Sequence, residues 1–248
     1  MLHSAMLHRE FHQLAAAATS IVLDRKNRRL YGEHAPRVAE LIWLDPLDVT
    51  HYIRALPRTL SSRKSSGVVL DYRAANIEES PLLEQQQVRS CIEHWCHGVP
   101  WKDTEDYNYM IGALKRRGSV AGCRNEFDVQ ERFNHLDRLF EVTLKDGHFK
   151  TQKQLHHWNF REFGGVQICI NDAKRPVLNK AGGIHRMAIA HIQKLRVIPA
   201  SIGLVDKSAI EAMPMLRVFN AANTHFKAEI STNASVKSSV RLPDGSAV

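Results

Sequence analysis

The chain is 248 residues long, with 44% hydrophobic and 24% charged residues and a formal net charge of +8 at pH 7. That length suffices for one large domain or two modest ones with a real hydrophobic core, and the composition is globular rather than disordered or fibrous. No run of 18 apolar residues occurs, so no membrane insertion is expected, and the basic surplus suits an anionic ligand (nucleotide, sugar phosphate or nucleic acid) without choosing among them.

The N-terminal stretch carries His3, His8, Arg9, Glu10 and His12 ahead of a short apolar piece. It reads as an amphipathic helix rather than a signal peptide. Asp24 to Arg29 reads as a charged loop, and Trp43 to Pro46 as a short extended piece ending at a proline. Ser61 to Gly67 has the composition of a solvated loop, and Gly67 to Asp71 that of a strand. Leu82, Val88, Ile92 and Trp95 predict an amphipathic helix that Gly98 closes. Asp103 or Thr104 starts another, running to about Arg117 with Gly118 as its stop. The clearest helix spans Phe127 to Lys145, where Phe133, Leu136, Leu139, Phe140 and Leu144 recur at three and four and Gly147 follows.

Beyond it the pattern changes. Val166 to Ile170 is short and β-branched and predicts a strand, and Val177-Leu178 begins a second extended piece. Ile184, Met187, Ala188, Ile192 and Leu195 share one helical face, and Val197 to Val205 predicts the next strand. Ser208 to Met213 and Met215 to Ala222 are short helical candidates. Past Phe226 polar residues dominate, as in a disordered tail.

The candidate site lies between these last elements, at Asn179, Lys180 and the run Gly182-Gly183-Ile184-His185-Arg186. A helix N-terminus leaves backbone N–H groups unpaired at the positive end of its dipole, which favours anions. Glycine lets a phosphate approach the backbone. Arg186 can add a forked contact to phosphate oxygens, and His185 can donate a hydrogen bond or carry a proton. Two basic residues in a first turn oppose the dipole, so a bound anion would explain them. A second reading fits the same residues: a plain tight turn, with Arg186 paired to a surface carboxylate.

This run, followed by Ala188-Ile189-Ala190 and an Ile198-Pro199 strand, resembles the Gly-x-x-Arg box of the ParB/sulfiredoxin superfamily over about residues 130–206. The resemblance implies a small mixed α/β unit whose box holds nucleotide phosphates, as ATP in sulfiredoxins. Ile184 stands where sulfiredoxins carry their cysteine, so that chemistry is not expected. Only about 40 residues follow Val205, so the helix-turn-helix and dimerisation regions of chromosome-partition ParB proteins, and their DNA clamp role, are not expected either. Tyr31-Gly32, Ala35-Pro36, Glu40 to Pro46, Trp101, Thr104 and Tyr107 are more loosely similar to a group of bacterial proteins of unassigned activity, some encoded beside surface-polysaccharide genes.

Other constellations carry less. Cys91, His94, Cys96 and His97 cluster within seven residues, but a helix would point them apart, and structural zinc wants four convergent ligands. The four cysteines, Cys91, Cys96, Cys123 and Cys169, form no CxxC pair and read as reduced thiols in a cytoplasm. Aromatics around Arg161 could stack on a base, although a loop folding onto the core explains them better. Glu141, Asp146 and Glu162 are the carboxylates nearest the box in sequence. No G-x-S-x-G occurs. Lys115 to Arg117 suits a helix C-terminus better than nucleic acid.

The expectation is therefore an α+β protein: a mostly helical N-terminal region (1–125), a ParB/sulfiredoxin-like mixed α/β nucleotide-binding unit (126–215) and a polar tail (216–248). Lys180, Gly182, Gly183, His185 and Arg186 would hold the phosphates of a nucleoside triphosphate, ATP or CTP, with Mg²⁺ if phosphoryl transfer or hydrolysis follows. The alternative is a non-catalytic nucleotide or nucleic-acid binding module; nucleic acid is the less favoured partner.

Overall fold

The computed structural model describes residues 2–57, 60, 65–156, 159–180 and 182–217, with side chains from residue 17 onward. The strands are β1 (Leu41–Leu44), β2 (His51–Ala55), β3 (Val69–Leu70), β4 (Glu78–Pro81), β5 (Val166–Ile170), β6 (Pro176–Leu178) and β7 (Ile198–Asp206). The helices are α1 (Leu2–Tyr31), α2 (Gln86–His97), α3 (Glu105–Arg117), α4 (Glu126–Asp146), α5 (Gln152–Leu155) and α6 (Ile184–Ile192). All the strands join one mixed sheet in the order β1-β7-β5-β6-β2-β4, with β3 beside the end of β7. The class is α+β.

The sheet draws on both sides of residue 125. β1 runs antiparallel to β7, from Leu41 opposite Ser201 to Leu44 opposite Ile198, and β2 lies parallel to β6 through Tyr52 and Leu178. The stretch 1–125 thus contributes α1, α2 and α3 and also β1 to β4. β7 is buried along its whole length and sits against β5. Ile198, Ala200 and Ile202 face the larger core cluster with Ile168 and Ile170. The register then slips, so that Ile168 opposes Ile202 but Ile170 opposes Val205. The extra residue keeps Val205 in the larger cluster and turns Leu204 to the opposite face, with Cys169, Ile53, Tyr72 and Val177. Gly203 permits the slip, because a Cβ there would lie 2.7 Å from Cys169 Sγ.

The helices that build the site cover the larger cluster. α4 starts at Asn125, whose side chain accepts from the Asp128 N–H at 2.8 Å, and stops at Gly147 in the left-handed region. Val129, Phe133 and Leu136 form its buried stripe; burying Phe133 alone stabilises by about 2 kcal/mol. Gly98 and Gly118 end α2 and α3 in the same left-handed way. Asp137 of α4 accepts from His94 Nε2 and from the Trp95 and Trp101 indole N–H groups at 3.0–3.1 Å, which ties α2 and the 101–103 turn to α4.

One local expectation is corrected. Asp24 to Arg29 is not a loop but the last part of α1. Tertiary contacts decide this: Asp24 accepts from the Val38 N–H at 2.8 Å, and the buried Asn27 amide donates to Pro36 O at 3.0 Å and Gly67 O at 2.6 Å. The helix end is thus held by backbone that it does not itself supply. The expected tail lies outside the described residues from 218 onward, as do 61–64 of the expected loop, His157 and Trp158.

Candidate functional site

α6 follows the loop that leaves β6. Its N-cap is Gly183, with φ 75°, and no side chain caps its first turn. The Met187 N–H closes the first helical bond to Gly183 O, so the N–H groups of Ile184, His185 and Arg186 carry no intrahelical bond. The loop is fastened to β5. Asn179, fully buried, donates its backbone N–H to Gln167 O at 2.9 Å, and its side-chain amide donates to Gln167 Oε1 at 2.7 Å and Ser65 Oγ at 2.8 Å. The Gly182 N–H donates to Asn179 O, and Gly182 O accepts from the Gln167 N–H.

That fastening changes the meaning of the glycines. A Cβ at Gly182 would lie 2.4 Å from Gln167 Cβ and 2.8 Å from Gln167 N, and one at Gly183 would lie 2.8 Å from Val166 Cα. Close approach to β5 therefore explains both. The missing side chains would have pointed at the strand.

The basic residues do converge. A cleft of about 410 Å³ opens at the start of α6, with Arg132 and His135 of α4, Gln87 of α2, and Lys180, His185 and Arg186 on its wall. Leu136, Leu139 and Ile184 supply the apolar part, and Gly183 also borders it. Among the described residues no carboxylate lines it, and Arg132 Nε is buried without a hydrogen-bond partner, an arrangement that native proteins keep rare. Lys180 Nζ donates to Arg54 O at 3.1 Å and remains exposed. Arg186 Nη1 donates to Gly164 O at 3.2 Å. Burial pulls the Arg186 guanidinium below its usual range, and the charge of buried Glu162 works against that pull. A guanidinium nevertheless stays charged at neutral pH. Glu162 accepts from the Gln152 N–H at 2.6 Å.

His185 has a partner that the sequence did not reveal. Its Nε2 lies 3.0 Å from Asp106 Oδ2, and the two side chains are 15% and 3% exposed, so the contact is shielded from water. An ionised carboxylate only accepts, so the Nε2 position carries a proton. Nδ1 then has no protein hydrogen-bond partner among the described residues. Asp106 is fixed in the first turn of α3, where its backbone N–H donates to Ser90 Oγ at 3.0 Å. Burial, and then the Asp106 charge, pushes the neighbouring Cys91 thiol well up.

The other sequence candidates are placed elsewhere. Glu141 and Asp146 are exposed on α4 and do not line the cleft. Arg161 pairs with Asp24 at 2.6 Å and donates to Val38 O, holding its loop to α1. His94 stacks on Trp101 with ring centroids 4.1 Å apart, and its Nδ1 lies 2.7 Å from Val99 O. Cys91 is buried and Cys96 exposed; among the described residues no group of three or more His, Cys, Asp or Glu side chains is placed to hold a metal ion.

Arg132 and Asp106 were missed for different reasons. Arg132, His135, Leu136 and Leu139 fall at i, i+3, i+4 and i+7, so Arg132 borders the apolar stripe of α4 and reads as its solvated edge. Asp106 reads as an ordinary acidic first-turn residue. Comparison with family models, with curated proteins and with solved structures gave no match. No helix among the described residues is long and apolar enough to cross a membrane.

Proposed function

We propose that this protein binds a nucleoside triphosphate, ATP or CTP, by its phosphates in the cleft between α4 and the start of α6, for phosphoryl transfer or hydrolysis. One observation carries the reading: Arg132, Lys180 and Arg186 meet at an uncapped helix N-terminus, on a wall to which the described residues bring no carboxylate. Three cations there repel one another and oppose the helix dipole, and a polyphosphate relieves both. The volume falls within the ordinary range of small-ligand sites, about 300–1,000 Å³. The resemblance of Gly182 to Arg186 to the ParB/sulfiredoxin box supports the same ligand. The wall offers no carboxylate to Mg²⁺, so the ion would arrive on the phosphate oxygens. A cytoplasmic setting, which supplies the nucleotide, belongs to the same proposal.

Thermal unfolding in the presence of ATP or CTP, with and without Mg²⁺, tests it on wild type, Arg186→Ala and Arg132→Ala. Ligand at 100 times its Kd stabilises by about 2.7 kcal/mol, or roughly 5–10 °C for a chain of this size. Both variants should lose most of that shift. No shift in wild type, or equal shifts in the variants, refutes the reading.

A further inference from the structure

We infer that His185 is a catalytic nucleophile, whose Nδ1 takes up the terminal phosphoryl group of the nucleoside triphosphate, and that Asp106 is its positioning residue. The inference rests on the ligand proposed above and adds the chemistry. Asp106 Oδ2, 3.0 Å from Nε2, keeps the proton on that nitrogen and leaves the lone pair on Nδ1. Nδ1 has no protein partner among the described residues, and His185 borders the cleft with Arg132, Lys180 and Arg186. Donor, orienting carboxylate and phosphate-binding cations thus meet at one place.

The surroundings favour phosphoryl uptake, because Arg132, Lys180 and Arg186 border the cleft at the start of α6. Taking up a phosphoryl group brings negative oxygens to the same spot, where the free N–H groups and the cations stabilise them. In the first step the Nδ1 lone pair forms a bond to the γ-phosphorus. The bond from that phosphorus to the β–γ bridging oxygen breaks, and the nucleoside diphosphate departs with its electron pair. The ring then holds phosphorus on Nδ1 and hydrogen on Nε2, and its positive charge is opposed by Asp106. Water or an acceptor hydroxyl next attacks the phosphorus. The N–P bond breaks, its electrons return to Nδ1, and the acceptor's proton passes to solvent.

The test uses the full chain with ATP and, separately, CTP labelled at the γ-phosphate, quenched in alkali because N-phosphoryl bonds are labile in acid. Wild type should acquire an acid-labile, alkali-stable label that peptide mapping places on His185. His185→Gln keeps an amide N–H for Asp106 and should take no label, while Arg132 and Arg186, which remain, still give it a nucleotide-dependent thermal shift. Asp106→Asn should label at least about tenfold more slowly with affinity unchanged, since losing an orienting carboxylate costs rate rather than binding, and Asp106→Glu should recover part of that rate. Mapping on wild type does not depend on how any variant folds. Nucleotide binding without an acid-labile label on wild type, or a label mapped to another residue, overturns this inference and leaves the ligand proposal standing. No nucleotide binding to wild type overturns both.

Discussion

Replacing Gly182 by alanine asks the turn to accept one methyl group against the middle of the sheet. The new Cβ would lie 2.4 Å from Gln167 Cβ and 2.8 Å from Gln167 N, whereas carbon atoms rest at about 3.5–4.0 Å. Either the loop or β5 must therefore move by roughly 1 Å. β5 is held between β7 and β6, so it yields poorly, and the loop is pinned by Asn179. The penalty argued here is the steric one against β5. Overpacking of this kind costs about 1–3 kcal/mol, and an unyielding backbone neighbour places it near 3. For a chain of this length that lowers Tm by about 6–12 °C. Calorimetry or circular dichroism on the purified variant measures the drop. A Tm within about 1 °C of wild type together with lost ligand binding would refute the packing argument and return the glycine to the role of clearing space for phosphate.

Two further perturbations probe the frame around the site. Asp137→Ala removes the acceptor shared by His94, Trp95 and Trp101; with its side chain 34% exposed, so that water replaces part of the loss, the cost should be about 2 kcal/mol, read by urea unfolding with a red shift of tryptophan emission. Glu40 is almost fully buried; burial alone would raise its pKa, but bonds from Arg217 and from the Arg37 N–H, with the charges of both arginines, hold it lower. A lowered carboxylate pKa contributes stability that is present above the unfolded value of about 4.3 and is lost as pH falls through the folded one. Glu40→Gln should therefore lose about 2 kcal/mol at pH 7, and its gap to wild type should narrow as pH falls below about 4.3; an unchanged gap from pH 5 to 3 counts against the assignment.

What the sequence made legible were features enforced within a few residues. α4 is bounded by a capping Asn and a left-handed Gly, and β5 spans Val166–Ile170 as its β-branched run predicts. The last part of α1 is not legible in the sequence, because Asp24 to Arg29 is polar on every face and the contacts that keep it helical come from residues 36–38 and 67. Strands β1 to β4 are two to five residues long, too short for a pattern to say which sheet they join. Only the pairing of β1 and β3 with β7 and of β2 with β6, more than 100 residues later, places them there, and β4 joins through β2.

The same limit separates the two halves of the candidate site. Lys180, His185 and Arg186 lie within seven residues, so the sequence alone groups them, and cations in a first turn call for a counter-charge. The structure supplies one locally for His185 in Asp106, 79 residues earlier in the chain, while buried Glu162 lies behind Arg186. If these carboxylates met the whole need, the turn would be a structural device and nothing more. They do not, because the fold adds Arg132 from α4 to the same wall, with a buried Nε that has no partner, and with no carboxylate on that wall, among the described residues. A helix that served only packing would lose nothing by placing a neutral side chain there. The charge left over after internal pairing, rather than the glycine pair that first drew notice, is therefore what the proposed phosphate site rests on, and Arg132→Ala separates the two accounts: relief of repulsion leaves the apo protein as stable or more so, while the nucleotide shift is lost.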